Sequence, residues 1–203
     1  MRKAHNSRKS LSTLGVLLSL IFCTNVIAQE LPDDEYACLS DVLRHGLANE
    51  TKQVVIANLT SGDPSAIVDG SLPSEARATE LNTNVELLRE WARLNQTTHP
   101  LAASFTLPVP YILLTESDRD LLFRGDNPEA GWKLFFARYA NSPGLLRVSR
   151  VAFDSTKTHA LLYLELQCGA ECGAGRLIQA KRVADGPWEI EFGELMWVAG
   201  PKS

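Results

Sequence analysis

HALLYLELQ-CGAECGAG-RLIQAKRV-ADG-PWEIEF, residues 159–192, is the stretch on which the fold turns. In its first run Ala160, Leu162, Leu164 and Leu166 are uniformly apolar, while His159, Leu161, Tyr163, Glu165 and Gln167 are mixed. A period of two with one apolar face describes a strand that buries that face. Trp188, Ile190 and Phe192 alternate with Glu189 and Glu191 in the same way. Asp185-Gly186 ahead of them is a hairpin signal, because both residues tolerate the positive φ that tight turns require. Gly173 and Gly175 are expected to bracket the other turn, with Arg176–Val183 as the returning strand. The C-terminal third therefore reads as an antiparallel meander.

Upstream of the meander the period lengthens. Tyr36, Leu39, Val42, Leu43 and Leu47 share one helical face between Asp34 and Leu47, and Gly46 marks the end. QVVIANLT, residues 53–60, is rich in β-branched residues and runs into Ser-Gly-Asp-Pro, a strand followed by a turn. Residues 61–78 mix Pro, Gly, Ser and charges without a period and read as a loop. A second helix is expected over 80–95, with Leu81, Val85, Leu88 and Trp91 on one side and Thr79 as N-cap. Residues 105–115 read as extended, with Pro108 and Pro110 confining them to an edge or a bulge. Asn127-Pro128 opens a third helix as cap and first residue. That helix carries Trp132, Phe135, Phe136 and Tyr139, and Ser142-Pro143-Gly144 stops it. Large rings at this spacing are expected to be core rather than a ligand box. The fold class predicted is α+β, with helices packed on one face of a curved antiparallel sheet and a C-terminal β-meander.

The first residues follow a different logic. Arg2, Lys3, Arg8 and Lys9 precede an apolar run from Leu11 to Phe22, and small or polar residues lead to Val26-Ile27-Ala28. This is the pattern of a cleavable secretory signal, expected to be cut before Gln29 and too short to span a bilayer comfortably. The predicted organisation is residues 1–28 as signal peptide and 29–203 as one domain, with no stable membrane span after cleavage and a periplasmic or secreted location. The leader holds four of the 20 basic residues and none of the 24 acids. The remainder thus has 16 basic against 24 acidic side chains, a formal charge of −8. Such a domain is repelled by phosphate backbones and anionic lipid, so nucleic-acid binding is not expected.

Three cysteines follow the leader: Cys38, Cys168 and Cys172. In an oxidising compartment one pair closes and one thiol is left over. Cys168 and Cys172 are the favoured pair, since both lie at a hairpin tip, with a bridge to Cys38 as the alternative. A zinc site would need about four ligands, and only His159 and Glu171 offer themselves near the pair. No metal and no cofactor is expected.

The run GWKLFFARYANSPGLLRVSRVAFDSTKTHALLYLELQCGAECGAGRLIQAKRVADGPWEIEFGELMWV, Gly131 to Val198, resembles the C-terminal half of a group of uncharacterised exported bacterial proteins. The shared pattern is an aromatic helix, a Ser-Pro-Gly-like turn, Ser-Arg-Val with a phenylalanine two residues on, a glycine-rich cysteine hairpin and a closing tryptophan strand. Upstream, Tyr36 to Leu43, Val54 to Thr60 and Tyr111 to Leu114 fit in outline. The chain departs by carrying Ala152 in place of glycine and Asp154 in place of asparagine. The resemblance implies location and fold, and it carries over no catalytic residue.

No motif demands a particular chemistry. There is no Gly-x-Ser-x-Gly elbow, and Ser149, expected in a strand, has no histidine beside it in sequence. A cysteine nucleophile with His45, His99 or His159 as base is opposed by export, which favours oxidised, structural thiols. The Cys-x-x-x-Cys spacing in a hairpin is not that of a redox helix. Arg150, Glu165, Arg176 and Glu171 form the polar set of interest. Arg150, if it faces inward, needs a carboxylate or carbonyl partner, either a ligand's or one across the strands. Arg150, Glu165 and Arg176 are the ligand-binding candidates, and no catalytic residue is assigned. Sequons beginning at Asn49, Asn58 and Asn95 are read as accidental. The functional expectation is a non-enzymatic exported module that binds an unknown small molecule or an envelope protein. The alternative is a small acid–base enzyme or hydrolase with a site between sheet and helices.

Overall fold

The computed structural model describes residues 30–47, 50–61 and 73–200. The proposed leader and the sequon at Asn49 lie outside them. In chain order the elements are α1 (Asp33–Gly46), β1 (Val54–Ala57), α2 (Glu75–Glu80), α3 (Val85–Leu94), β2 (Tyr111–Leu114), α4 (Glu116–Leu122), α5 (Pro128–Arg138), β3 (Leu145–Val148), β4 (Ala152–Phe153), β5 (His159–Gly169), β6 (Cys172–Arg182) and β7 (Trp188–Ala199). The class is α+β, and β5, β6 and β7 pair antiparallel as the alternation requires.

The sheet as a whole is mixed rather than antiparallel. Its strand order is β2-β1-β3-β5-β6-β7, with β4 also on β5. β1 runs parallel to both β2 and β3. The reason lies in the connections: α2 and α3 carry the chain from β1 to β2, and α4 and α5 carry it from β2 to β3. Such helical crossovers return it to the same end of the sheet. β3 and β4 pair with successive parts of β5, so they act as one strand interrupted at Ser149–Val151.

Helices cover both faces, which corrects the one-face expectation. On the first face Val54, Ile56, Val148, Ala160, Leu162 and Ile178 pack against Tyr36, Leu39, Val42 and Leu43 of α1. On the second, Leu161, Tyr163 and Leu177 lie under Leu81, Val85, Leu88 and Trp91, while Val55, Leu114 and Leu145 lie under Trp132 and Phe135 of α5 and under Tyr139, its C-cap. The aromatic stripe of α5 is core as expected, with Phe135 fully buried and in edge contact with Trp132. A side chain of that size contributes roughly 1.5–3 kcal/mol by leaving water.

Local chemistry explains where the elements differ from the sequence reading. The expected helix over 80–95 is helical as α3 alone, because the chain turns a corner at Asn82, which has φ 48°; α2 lies before that corner, mostly within the stretch 61–78 read as a loop, of which residues 62–72 lie outside those described. Ser74 caps α2 by accepting from the Arg77 N–H, and Asn84 caps α3 by accepting from the N–H groups of Glu86 and Leu87. Thr79 sits inside α2, not at a cap, and its hydroxyl donates back to the Glu75 carbonyl. α5 begins at Asn127-Pro128 as predicted, with the Asn127 side chain accepting from the Ala130 N–H. The unforeseen α4 is capped by Thr115, whose hydroxyl accepts from the Asp118 N–H. Of residues 105–115, only Tyr111–Leu114 joins the sheet.

Gly173 and Gly175 lie within β6, not at the turn, which is Ala170-Glu171. Gly175 is there for closeness: a Cβ would sit 2.0 Å from the Tyr163 hydroxyl and 2.2 Å from Trp197 Nε1. Trp197 closes over this gap and donates to the Tyr163 oxygen at 2.6 Å. Among the described residues no helix is long and apolar enough to cross a membrane.

Candidate functional site

α1 is fixed at its N-terminal end and stops before its sheet face does. Asp34 pairs with Lys157 at 2.6 Å and Glu35 with Arg150, while Asp41 accepts from the Trp188 N–H at 2.9 Å. The helix ends at Gly46, yet the apolar face of β5 continues through Leu164 and Leu166, both only partly buried. Between them opens a cleft of about 420 Å³. Val42, Leu43, Gly46 and Leu47 form its helix side, and Leu146, Leu164, Leu166, Ala174, Ile178 and Ile190 its floor. Volumes of this order suit a small ligand.

The apolar surface runs on past the cleft along the edge strand. Ile190, Leu195 and Val198 stand opposite Ala180, Arg176 and Ala174 in the register, so they share the cleft's face. They are 41%, 44% and 62% exposed, which makes them three neighbouring large apolar side chains left to solvent.

Arg176 is the one charged side chain among the described residues that line the cleft. It lies between Leu164 on β5 and Leu195 on β7. It makes no hydrogen bond or ion pair with another described residue. A guanidinium flanked by apolar side chains, with its donors unspent, can take a ligand's anionic oxygen.

The three ligand-binding candidates do not form one site. Arg150 is consumed inside the protein by a partner the sequence reading did not weigh. Its Nε lies 3.1 and 3.0 Å from the two carboxylate oxygens of Glu35, and its Nη2 donates to the same group. The partner comes from α1 and is 3% exposed, so this is neither a ligand contact nor a cross-strand bridge on a solvated face. Glu35 also accepts the Val151 N–H at 2.9 Å. Glu165 points to the opposite face from Arg176, where it accepts from Gln167 and stands 4.0 Å from Arg147. Arg176 alone reaches the cleft.

The nucleophile readings find no support in the geometry. Ser149 is wholly buried in the break between β3 and β4, not in a strand. Its oxygen accepts from Trp91 Nε1 at 3.0 Å and the Tyr163 N–H at 2.8 Å, and donates to the Arg150 carbonyl. That saturated hydroxyl is a structural pin. Asn95, 1% exposed, secures the same break by accepting the Arg150 N–H at 2.7 Å and donating to the Trp91 carbonyl. Its amide is therefore closed to glycosylation in the folded chain.

Cys168 and Cys172 stand at disulfide distance with Cα atoms 5.0 Å apart, inside the range such a bridge requires. Cys38 is buried in α1, and burial pushes its thiol far above the ordinary range, with Asp41 and Glu35 adding to the rise. His159 lies at the far end of β5 from Cys168, about 30 Å along the strand, so the two cannot share a zinc ion. No group of three metal-ligating side chains occurs among the described residues.

His159 instead belongs to a turn built around Asp154. Burial works against charge on Asp154, but it is outweighed by the N–H groups of His159 and Thr158 and by the side chains of His159 and Thr156. The carboxyl is held well below the usual carboxylate range.

Sequence reasoning missed Glu35, which reads as one of three acids opening a helix, and it missed the cleft. The even positions of β5 gave the apolar face, but only the place where α1 stops shows which of them are left uncovered. Compared with known proteins, the chain matches no family model, no curated protein and no solved structure.

Proposed function

We propose that the chain is an exported, non-enzymatic binding module that seats an apolar small molecule between α1 and the β5–β7 face. The observation that carries this reading is the cleft itself: about 420 Å³, with apolar walls that continue onto exposed Ile190, Leu195 and Val198. The leader pattern and the paired hairpin cysteines support export. Among the described lining residues there is no carboxylate, histidine, cysteine or serine, and the one hydroxyl, that of Thr51, has no base among them to activate it, which favours binding over acid–base or nucleophilic catalysis.

The test uses the full chain expressed with its leader and the protein recovered from the periplasm. An uncharged environment-sensitive dye should bind saturably at one site per chain. Gly46→Trp should abolish this binding, because a Cβ at Gly46 meets nothing within 4 Å and a large side chain there would extend into the cleft. Equal binding by the variant, or no saturable binding by the parent, contradicts the proposal.

A further inference from the structure

We infer that the molecule held in this cleft is a single-chain amphiphile with a carboxylate head, its tail lying on Leu164, Leu166 and Ile178 and its head on Arg176. The inference rests on the binding reading above and adds the ligand's charge and shape.

Three observations set the class. The first is charge complementarity: the cleft offers one guanidinium and no acid among its described lining residues. Arg176 makes no bond to another described residue, so its donors are available for a bidentate contact. The second is the direction of the apolar surface. Arg176 sits between Leu164 and Leu195 in the register, so apolar side chains extend from it both into the cleft and toward the edge strand. A tail that starts at the guanidinium stays on apolar surface, and methylenes buried there contribute in proportion to their number.

The third observation limits the head to one negative charge. The negative end of the α1 dipole lies at Gly46 and Leu47, on the opposite wall of the same cleft, and the Arg44 cation of its last turn is already paired with Asp41 at 2.8 Å. The chain beyond its leader carries a formal charge of −8. One guanidinium neutralises a carboxylate, whereas a phosphate dianion would leave a surplus charge facing both. The same helix end orients the ligand, since the head avoids Gly46 and the tail is indifferent to it.

The experiment titrates periplasmic protein, stripped of bound lipid, with decanoate, undecanoate and decanol below their aggregation limits. The parent and Arg176→Gln are compared. Decanoate should bind the parent about tenfold tighter than the variant, the size expected for one charge-assisted contact at a partly wet site. Decanol should bind both proteins alike. Undecanoate should bind about fourfold tighter than decanoate, the ratio set by one buried methylene. If decanol matches decanoate and Arg176→Gln changes neither, the carboxylate assignment falls while the cleft reading stands. If no chain binds, or binding survives Gly46→Trp, both fall. Binding to anionic phospholipid vesicles without binding of monomeric decanoate overturns the inference in favour of a membrane surface.

Discussion

Replacing Glu35 with alanine should cost more stability than any single change at the protein's surface, because its carboxylate ties α1 to the break between β3 and β4. The side chain is 4% exposed and the Arg150 side chain 16% exposed. Alanine would strip the guanidinium of its counter-charge and leave the buried Val151 N–H without its 2.9 Å acceptor. Breaking a buried pair from one side costs about 3–5 kcal/mol, and an orphaned buried donor about 1–3. The two overlap, and Arg150 retains some access to water, so about 3–4 kcal/mol is expected for Glu35→Ala. That is a large share of the stability of a typical domain. The assay is urea unfolding of the parent, Glu35→Ala, Glu35→Leu, Arg150→Met and the pair Glu35→Leu with Arg150→Met, the last three closing a cycle with the parent. Removing both charges leaves only the Val151 donor unmet, so the double variant should lose about 1–2 kcal/mol, less than Glu35→Ala alone. A loss below about 1 kcal/mol for Glu35→Ala, or strictly additive losses in the cycle, would refute the reasoning.

Ser149→Ala should cost about 2–3 kcal/mol in the same assay, since it orphans the indole N–H of Trp91 and the Tyr163 N–H together; a loss under 0.5 would count against the pin, the threshold being about the scatter of neutral changes. Asp154 has a depressed folded pKa, so its contribution is fully present above the unfolded carboxylate range near about 4 and fades as pH falls toward the folded value. Thermal melts of Asp154→Asn should therefore trail the parent at pH 6 and converge with it in acid; a constant gap would remove Asp154 as the cause. Cys38, buried with its thiol pKa raised, should resist maleimide in the native protein and label only on unfolding. Peptide mapping of the same sample should find Cys168 and Cys172 joined. Cys168→Ser with Cys172→Ser should cost about 1–2 kcal/mol, the modest sum expected for so short a loop.

The meander was legible because a period of two survives any tertiary context, and Asn127-Pro128 located α5 because capping is a local event. The parallel arrangement of β1, β2 and β3 was not legible. VVIA, YILL and LLRV are apolar runs of four, and nothing in such runs fixes strand direction. The apolar run of β1, with Val54 and Ile56 on one face and Val55 on the other, was the available hint that both faces are covered. Of the charged candidates, Arg176 lies on the returning strand of the meander, as its sequence predicts, but only the end of α1 shows that its neighbourhood is open. The need of an inward-facing Arg150 for a partner is legible in the sequence, but the partner itself lies 115 residues away.

Entry of a ligand between α1 and the β5–β7 face is tested most directly by methyl-resolved NMR with decanoate. The methyl groups of Leu43, Leu164, Leu166, Ile178 and Ile190, which line the cleft, should shift on titration. Leu88, Leu161 and Leu177, buried on the opposite face, should stay in place. Shifts concentrated on Leu88, Leu161 and Leu177, or no shifts at saturating decanoate, would contradict it.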